Sequence, residues 1–304
     1  MRVFVTGASG WIGSAVVSEL LTAGHEVVGL ARSDAAADAV AALGAGVHRG
    51  SLDDVESLRS GAAMADGVVH LGYHHDFSQM ELAAQIDKRA IETFGEMLAG
   101  TAGPLVVASG VAGLGGGELA TERDIPDPSL HPRVGNAQVA QSLADRGVRS
   151  SVVRFAPTVH GPGDHGFVAT LVELAQRTGV AAYIEDGANR WPAVHRLDAA
   201  VLVRLAVESA PAGSVLHAVD DEGVPTREIA AAIGRSVGVP AQSLPASQAG
   251  EHFGWIGRFF GMDTVVSSAL TRELLGWKPV QPGLLAVLDV GGYAGTVPHS
   301  VAGG

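Results

Sequence analysis

The stretch Val3-Phe4-Val5-Thr6-Gly7-Ala8-Ser9-Gly10-Trp11-Ile12-Gly13 decides the fold. Its apolar, β-branched start has the pattern of a buried parallel strand, and the glycines at 7, 10 and 13 open a helix that ends at Gly24. Each glycine meets a separate physical need. Gly7 permits a tight turn, Gly10 lets backbone approach a pyrophosphate, and Gly13 lets helix and strand pack closely. The first turn of such a helix carries free N–H groups and a partial positive charge, and both suit phosphate. In a chain with 41 glycines a triplet alone says little. Its place directly after a strand and before a helix makes it a nucleotide cradle, with Ser9, Trp11 and Ile12 between the glycines. The competing reading is a strand–helix turn with no ligand.

Residues 26–33 read as a second strand whose tip carries Arg32 and Ser33, with Asp34 one place on. In a dinucleotide fold this tip meets the adenosine ribose, where an acid binds the 2′-hydroxyl of NAD and an arginine accommodates the 2′-phosphate of NADP. A guanidinium suits a phosphate in charge and fork geometry. The expectation is NADP(H) in preference to NAD(H); in the alternative, Arg32 is solvated and Asp34 takes the ribose.

An alanine-rich helix and a short third strand at 46–50 follow. Residues 51–54 read as a helix cap, with Asp54 accepting three residues on and Leu52 placed to pack on an adenine ring. Residues 67–72 form a fourth strand, and Leu71 and Gly72 at its carboxyl end are expected beside the cofactor. An amphipathic helix (80–99), a fifth strand (104–109), a helix (134–146) and a sixth strand (150–155) complete an alternating series. That alternation predicts an α/β protein with a Rossmann-type doubly wound parallel sheet.

Beyond residue 155 the pattern loosens into a helix at 167–178, a short strand at 180–184, a helix at 195–209, a strand at 214–219 and a helix at 226–236. Phe253, Trp255, Phe259, Phe260 and Trp277 suggest a small apolar lobe over a cleft, or simply a second core. The expected division is a dinucleotide-binding domain at 1–166, with later strands contributed from 190–220, and a mainly substrate-binding α/β lobe at 167–304.

The net charge of −12 argues against nucleic acid or an anionic membrane as partner. With 47% hydrophobic and 17% charged residues the chain suits a compact enzyme acting on a small molecule. Zero cysteines exclude a disulfide framework, a catalytic thiol and a thiolate metal site. No apolar run is long enough to span a bilayer, and the first one is interrupted at Thr6 without the charged lead of a signal peptide. A cytoplasmic protein is expected.

Five segments together resemble the extended, sugar-epimerase-like branch of the short-chain dehydrogenase/reductase superfamily. They are residues 6–13, V-V-H-L-G at 68–72, V-V-R-F-A-P at 152–157, V-H-G-P-G-D at 159–164 and L-G-W-K-P at 275–279. The resemblance implies a Rossmann fold, a nicotinamide cofactor and a nicotinamide-side wall that includes Val159. It also implies a tyrosine four residues before a lysine, with a serine or threonine ending the fifth strand. Here Tyr73, Tyr183 and Tyr293 are followed four places on by Phe77, Gly187 and Val297, so the pair is missing and the chain is an atypical member. In the matching segment, residues 130–140, His131 or Arg133 falls near the tyrosine position and Gly135 or Ala137 near the lysine. Ser109 matches the leading serine of the fifth strand, while the strictly catalytic place falls on Gly110.

Candidates for the chemistry are therefore Tyr73 and His74, which open a Tyr-His-His-Asp run after the fourth strand that is either a proton-transfer site or a polar surface loop. Ser109 either donates a hydrogen bond to an acceptor oxygen or caps its strand. His131 and Arg133 stand where the resemblance places the proton donor and ribose clamp, or cap the following helix. His160, Asp164 and His165 match no helical zinc pattern, so loop hydrogen bonding is expected and no metal. Arg190 either clamps an anionic substrate or pairs with Glu185 or Asp186, and Asp198 suits the start of a helix. The expected activity is NADPH-dependent hydride transfer to a ketone, aldehyde or imine. Its alternatives are an epimerase or dehydratase that retains NADP, and an NADP(H)-binding sensor without turnover. The amphipathic helices at 80–99 and 134–146 resemble the dimer helices of relatives, which leaves open a homodimer or cover within one subunit.

Overall fold

The computed structural model describes residues 1–74, 79–127 and 133–293. It begins with β1 (Arg2–Thr6), where Val3, Phe4 and Val5 are fully buried as their continuous apolar run requires. There follow α1 (Trp11–Thr22), β2 (Glu26–Ala31), α2 (Asp34–Ala42), β3 (Gly46–Arg49), α3 (Val55–Ala63), β4 (Gly67–His70), α4 (Met80–Leu98) and β5 (Pro104–Gly110). Strands Arg149–Phe155 and Ser214–Ala218 complete a seven-stranded sheet. From one edge it runs Ser214–Ala218, Arg149–Phe155, β5, β4, β1, β2, β3, and every neighbouring pair is parallel. The chain reverses direction across the sheet between β1 and β4, and a crevice outside their carboxyl ends is where open α/β sheets take ligands.

Apolar layers cover both faces of the sheet. Val16, Val17 and Leu20 of α1 pack with Leu202 and Val203 of the helix Arg196–Ser209 on one side. Phe4 packs with Ile91 and Phe94 of α4 and with Leu105 on the other. A further core lies outside the main sheet, where Trp191, Phe253 and Phe260 are buried together under a three-stranded sheet ordered Asp221–Pro225, Arg190–His195, Thr158–His160. The aromatic tail divides between these layers. Phe253, Phe259 and Phe260 join the core around Trp191, whereas Trp277 is buried against the main sheet and its indole N–H donates to the Asp198 carbonyl at 3.0 Å.

Several short strands depart from the sequence expectation. Thr158–His160 lies where a loop is expected, and no strand is expected at Leu119–Ala120, Asp221–Pro225, Ala241–Leu244 or Val265–Val266. Of the later strands expected from 190–220, Ser214–Ala218 joins the main sheet, whereas Arg190–His195 joins the three-stranded one. These short strands pair with residues distant in the chain and carry no local period. Among the described residues no helix is long and apolar enough to cross a membrane.

Candidate active site and nucleotide cradle

Gly7 adopts φ +69°, and a Cβ there would stand 2.8 Å from the Gly72 nitrogen at the end of β4. A Cβ on Gly13 would lie 1.9 Å from the Gly7 carbonyl oxygen, so the strand-to-helix approach admits glycine only. Gly10 N–H donates to the Gly7 carbonyl at 2.9 Å. α1 starts with no side-chain cap and no acid in its first turn, which leaves its leading N–H groups for an anion. Ser9 is exposed at this mouth, and Ile12, Leu52 and Leu71 are half-buried around it. A cradle that added carbon atoms would fill fits a dinucleotide diphosphate.

The Trp11 side chain does something the sequence did not indicate. Its indole N–H donates to the Val159 carbonyl at 2.7 Å, and the Arg196 guanidinium stacks 4.0 Å from its ring centre. His165 meets the same ring edge-on with centroids 5.6 Å apart. Trp11 therefore ties the glycine loop to the segment after strand Arg149–Phe155.

At the tip of β2, Arg32 and Ser33 are exposed. The Ser33 hydroxyl oxygen caps α2 by accepting from Ala36 N–H at 3.2 Å. Asp34 is paired with Arg49 of β3 at 2.8 Å, and Arg49 also donates to the Ser33 carbonyl at 2.6 Å. Arg32 has no hydrogen bond or ion pair among the described residues.

Beneath the cradle lies a buried polar chain. The Thr6 hydroxyl accepts from Gly72 N–H at 3.1 Å, which leaves its own proton for His70 Nδ1 at 2.7 Å. His70 Nε2 then carries a proton for Asp87 Oδ1 at 3.2 Å. Asn136 donates to Asp87 Oδ2 at 2.7 Å, and Arg133 Nε lies 3.8 Å from the same oxygen. Burial pushes the Asp87 carboxyl up, but the His70 hydrogen bond and the Arg133 charge outweigh it and hold the group below the usual carboxylate range. Arg133 also stacks over Tyr73, 4.2 Å from the ring centre. Burial raises the Tyr73 phenol, with Arg133 opposing the rise.

The structure thus brings Tyr73 and Arg133 together, with Asp87, His70 and Asn136 behind them. His74 Nε2 lies 3.3 Å from Asp53, and His131 is outside the described residues. Ser109 lines a cavity of about 660 Å³ on the other flank of the helix Arg133–Ser142, with Ala137, Glu122 and Arg154 among its walls. Neither Tyr73 nor Arg133 lines it. Asp87 had a signal in the sequence: its neighbours at helical spacing, Ala83, Ala84, Ala90 and Ile91, are all apolar, which places a carboxylate on the buried stripe of α4.

Arg190 corrects both sequence readings. It neither clamps from a free position nor pairs with Glu185 or Asp186; Nε and Nη2 donate to the two carboxylate oxygens of Asp263 at 2.9 and 2.8 Å, and Nη2 also to the Gly117 carbonyl. Asp198 opens a helix as expected and also accepts from Val280 and Gln281 N–H, both at 3.0 Å. Asp164 accepts from the Tyr293 hydroxyl and Gly166 N–H, both at 2.7 Å. His160 is fully buried with no hydrogen-bond partner for either ring nitrogen among the described residues, and burial pushes it down to about 3. Among the described residues no three His, Asp or Glu side chains group as metal ligands do.

A parallel sheet with a glycine cradle at its switch point, and polar side chains gathered beyond β4, define a nicotinamide-dinucleotide enzyme of the extended short-chain type. Residues 3–218 match the NAD dependent epimerase/dehydratase family, and the chain belongs to that family. It is 46% identical over 295 residues to an uncharacterised protein of Schizosaccharomyces pombe, covering 96% of this chain and 100% of that one. It is 26% identical over 258 residues to the 2-alkyl-3-oxoalkanoate reductase of Stenotrophomonas maltophilia, covering 79% and 77%. In fold it is similar to the UDP-glucose 4-epimerase of Thermotoga maritima, with a TM-score of 0.78 at 19% identity and coverage of 96% and 98%. The chain is an NAD(P)-dependent enzyme of oxidoreductase, epimerase or dehydratase type.

Proposed function

We propose that the protein is an NADPH-dependent reductase that transfers a hydride to a carbonyl-like small molecule, a ketone, aldehyde or imine. The observation that carries the cofactor choice is the charge arrangement at the tip of β2. Arg32 stands exposed and unpaired among the described residues, while Arg49 holds the one nearby acid, Asp34. A guanidinium in that position favours a 2′-phosphate, and an occupied carboxylate is a poor acceptor for a ribose hydroxyl.

When bound, the dihydronicotinamide supplies the hydride. The chain has to supply a proton and hold the acceptor. A tyrosine phenol is protonated at neutral pH and burial shifts Tyr73 further that way, so it is a donor, and Arg133 beside it polarises the acceptor oxygen. His74, the next residue in the chain, has Nε2 3.3 Å from Asp53 and is the imidazole assigned to return a proton in this reading. In this reading residues 1–166, with Ser214–Ala218, hold the nucleotide and residues 167–304 mainly face the substrate. Similarity to a 2-alkyl-3-oxoalkanoate reductase supports a carbonyl acceptor.

The test is calorimetric titration with NADPH and NADH, followed by a panel of ketones, aldehydes and imines monitored by loss of NADPH absorbance. The expected result is NADPH bound at least about tenfold more tightly, with turnover on part of the panel. Tighter NADH binding overturns the cofactor choice. Tight NADPH binding without turnover points to a sensor, and conversion of a sugar nucleotide without net NADPH consumption points to an epimerase or dehydratase.

A further inference from the structure

Arg196 opens the helix Arg196–Ser209 and lies against the first turns of α1. Its guanidinium is stacked on Trp11, and Nη2 donates to Ser14 Oγ at 3.0 Å. Nε is shut off from solvent and has no partner, and the group forms no ion pair among the described residues. The carboxylate that acts on it through space is Asp164, which is itself committed to the Tyr293 hydroxyl and Gly166 N–H. A half-buried cation whose carboxylate acts only through space keeps part of its desolvation cost, which an anion in direct contact would offset.

The same corner holds the uncapped start of α1, whose leading N–H groups add partial positive charge. Two independent sources of positive potential therefore converge beside the glycine loop, the guanidinium offset only through space by Asp164 and by no direct ion pair among the described residues. Trp11 fixes the guanidinium by a cation–π contact and Ser14 fixes its roll, so little side-chain entropy is lost when an anion arrives.

We propose that Arg196 is a cofactor-binding residue whose charge serves the nucleotide diphosphate held by the glycine loop. The inference rests on the dinucleotide reading of the site but not on the choice between NADP(H) and NAD(H). The diphosphate is common to NADPH, NADH and ADP, so loss of Arg196 weakens all three alike. Loss of Arg32, at the far end of the adenosine, weakens NADPH alone.

Full-length wild type and Arg196→Met are titrated calorimetrically with NADPH, NADH, ADP and 2′-AMP, the last carrying adenosine without a diphosphate. The variant is expected to bind the first three about tenfold more weakly and 2′-AMP within about twofold of wild type. Arg196→Lys, which keeps the charge and loses the planar stack, is expected to recover part of the ADP affinity. Unchanged ADP binding in a folded methionine variant overturns the proposal, as does an equal loss of 2′-AMP binding. If the methionine variant does not fold, Arg196→Gln carries the same expectations and the same overturning results. Wild-type protein that binds NADPH and NADH equally removes the NADP(H) reading and leaves this one standing.

Discussion

The Arg49 guanidinium, at the end of β3, meets the Asp34 carboxylate, at the start of α2, at 2.8 Å. Because β2 and β3 pair with Ala31 opposite Arg49, this contact sits at the tip where the adenosine ribose of a dinucleotide belongs. Both side chains are largely exposed, so the pair adds under about 1 kcal/mol to stability. Its weight is in the local charge, since Asp34 is held by Arg49 while Arg32, two residues earlier, is exposed without an ion pair among the described residues. Arg32→Ala is expected to weaken NADPH about tenfold or more and to leave NADH within about twofold. Arg49→Ala is expected to weaken NADPH less and to tighten NADH, because it frees Asp34. Calorimetric Kd values for both cofactors check this, and unchanged selectivity in both variants counts against the phosphate assignment.

Gly13→Ala tests the cradle. The added carbon would overlap the Gly7 carbonyl, and backbone on both sides has to move. A loss of about 3 kcal/mol in urea unfolding is expected, together with loss of nucleotide binding. A variant with wild-type stability and affinity would mean that helix and strand are not held as closely as the structure has them.

Asp87 accepts from both His70 and Asn136, and all three are buried. Asp87→Ala leaves two buried donors without an acceptor, which is expected to cost on the order of 3 kcal/mol by chemical denaturation. The depressed Asp87 pKa contributes stability above the unfolded carboxylate pKa, and that contribution is lost as pH falls through the folded value. The alanine variant should therefore lose less stability than wild type on acidification below about pH 4.

His160 acts at higher pH. It is neutral in the fold, with its pKa pushed down to about 3 first by burial and then by His195. Between about pH 6.5 and pH 3 the unfolded chain binds a proton there that the folded chain does not. Stability therefore falls as the pH drops below about 6.5, by up to about 1.4 kcal/mol per pH unit from this group. His160→Asn should flatten the dependence between pH 7.5 and 5 in denaturant titrations, and an unaltered slope would show that His160 is not neutral in the fold.

Tyr73→Phe removes the proposed proton donor. Turnover on any accepted carbonyl is expected to fall by about 100-fold or more with NADPH affinity unchanged. Arg133→Met removes the charge that opposes the burial shift, so the Tyr73 phenol should titrate higher, read as the absorbance change that Tyr73→Phe abolishes. Equal turnover in wild type and Tyr73→Phe would move proton donation elsewhere.

The strand, the glycine spacing and the cap at Asp54 were legible because each is a local pattern. Asp54 does accept from Ser57 N–H, at 3.2 Å, three residues on. The partner of Arg190 was not legible: nearby Glu185 and Asp186 look as suitable as Asp263, which follows 73 residues later. Trp277 was equally ambiguous, since it packs in the core of the main sheet and its indole N–H finds the Asp198 carbonyl 79 residues away.

Residues 3–13 by themselves select a buried strand, an anion-binding turn and a helix start, because Gly7, Gly10 and Gly13 meet one another within that stretch. The pairing of β1 with β2 and β4, by contrast, joins residues 24 and 64 apart. Folding alone brought Asp87 under Tyr73 and Arg133, Arg196 onto Trp11, and Arg49 onto Asp34. These contacts join side chains from separate elements, and charge attraction by itself does not choose among several carboxylates. Packing of helices on the sheet makes that choice, by removing some groups from water and leaving others in reach.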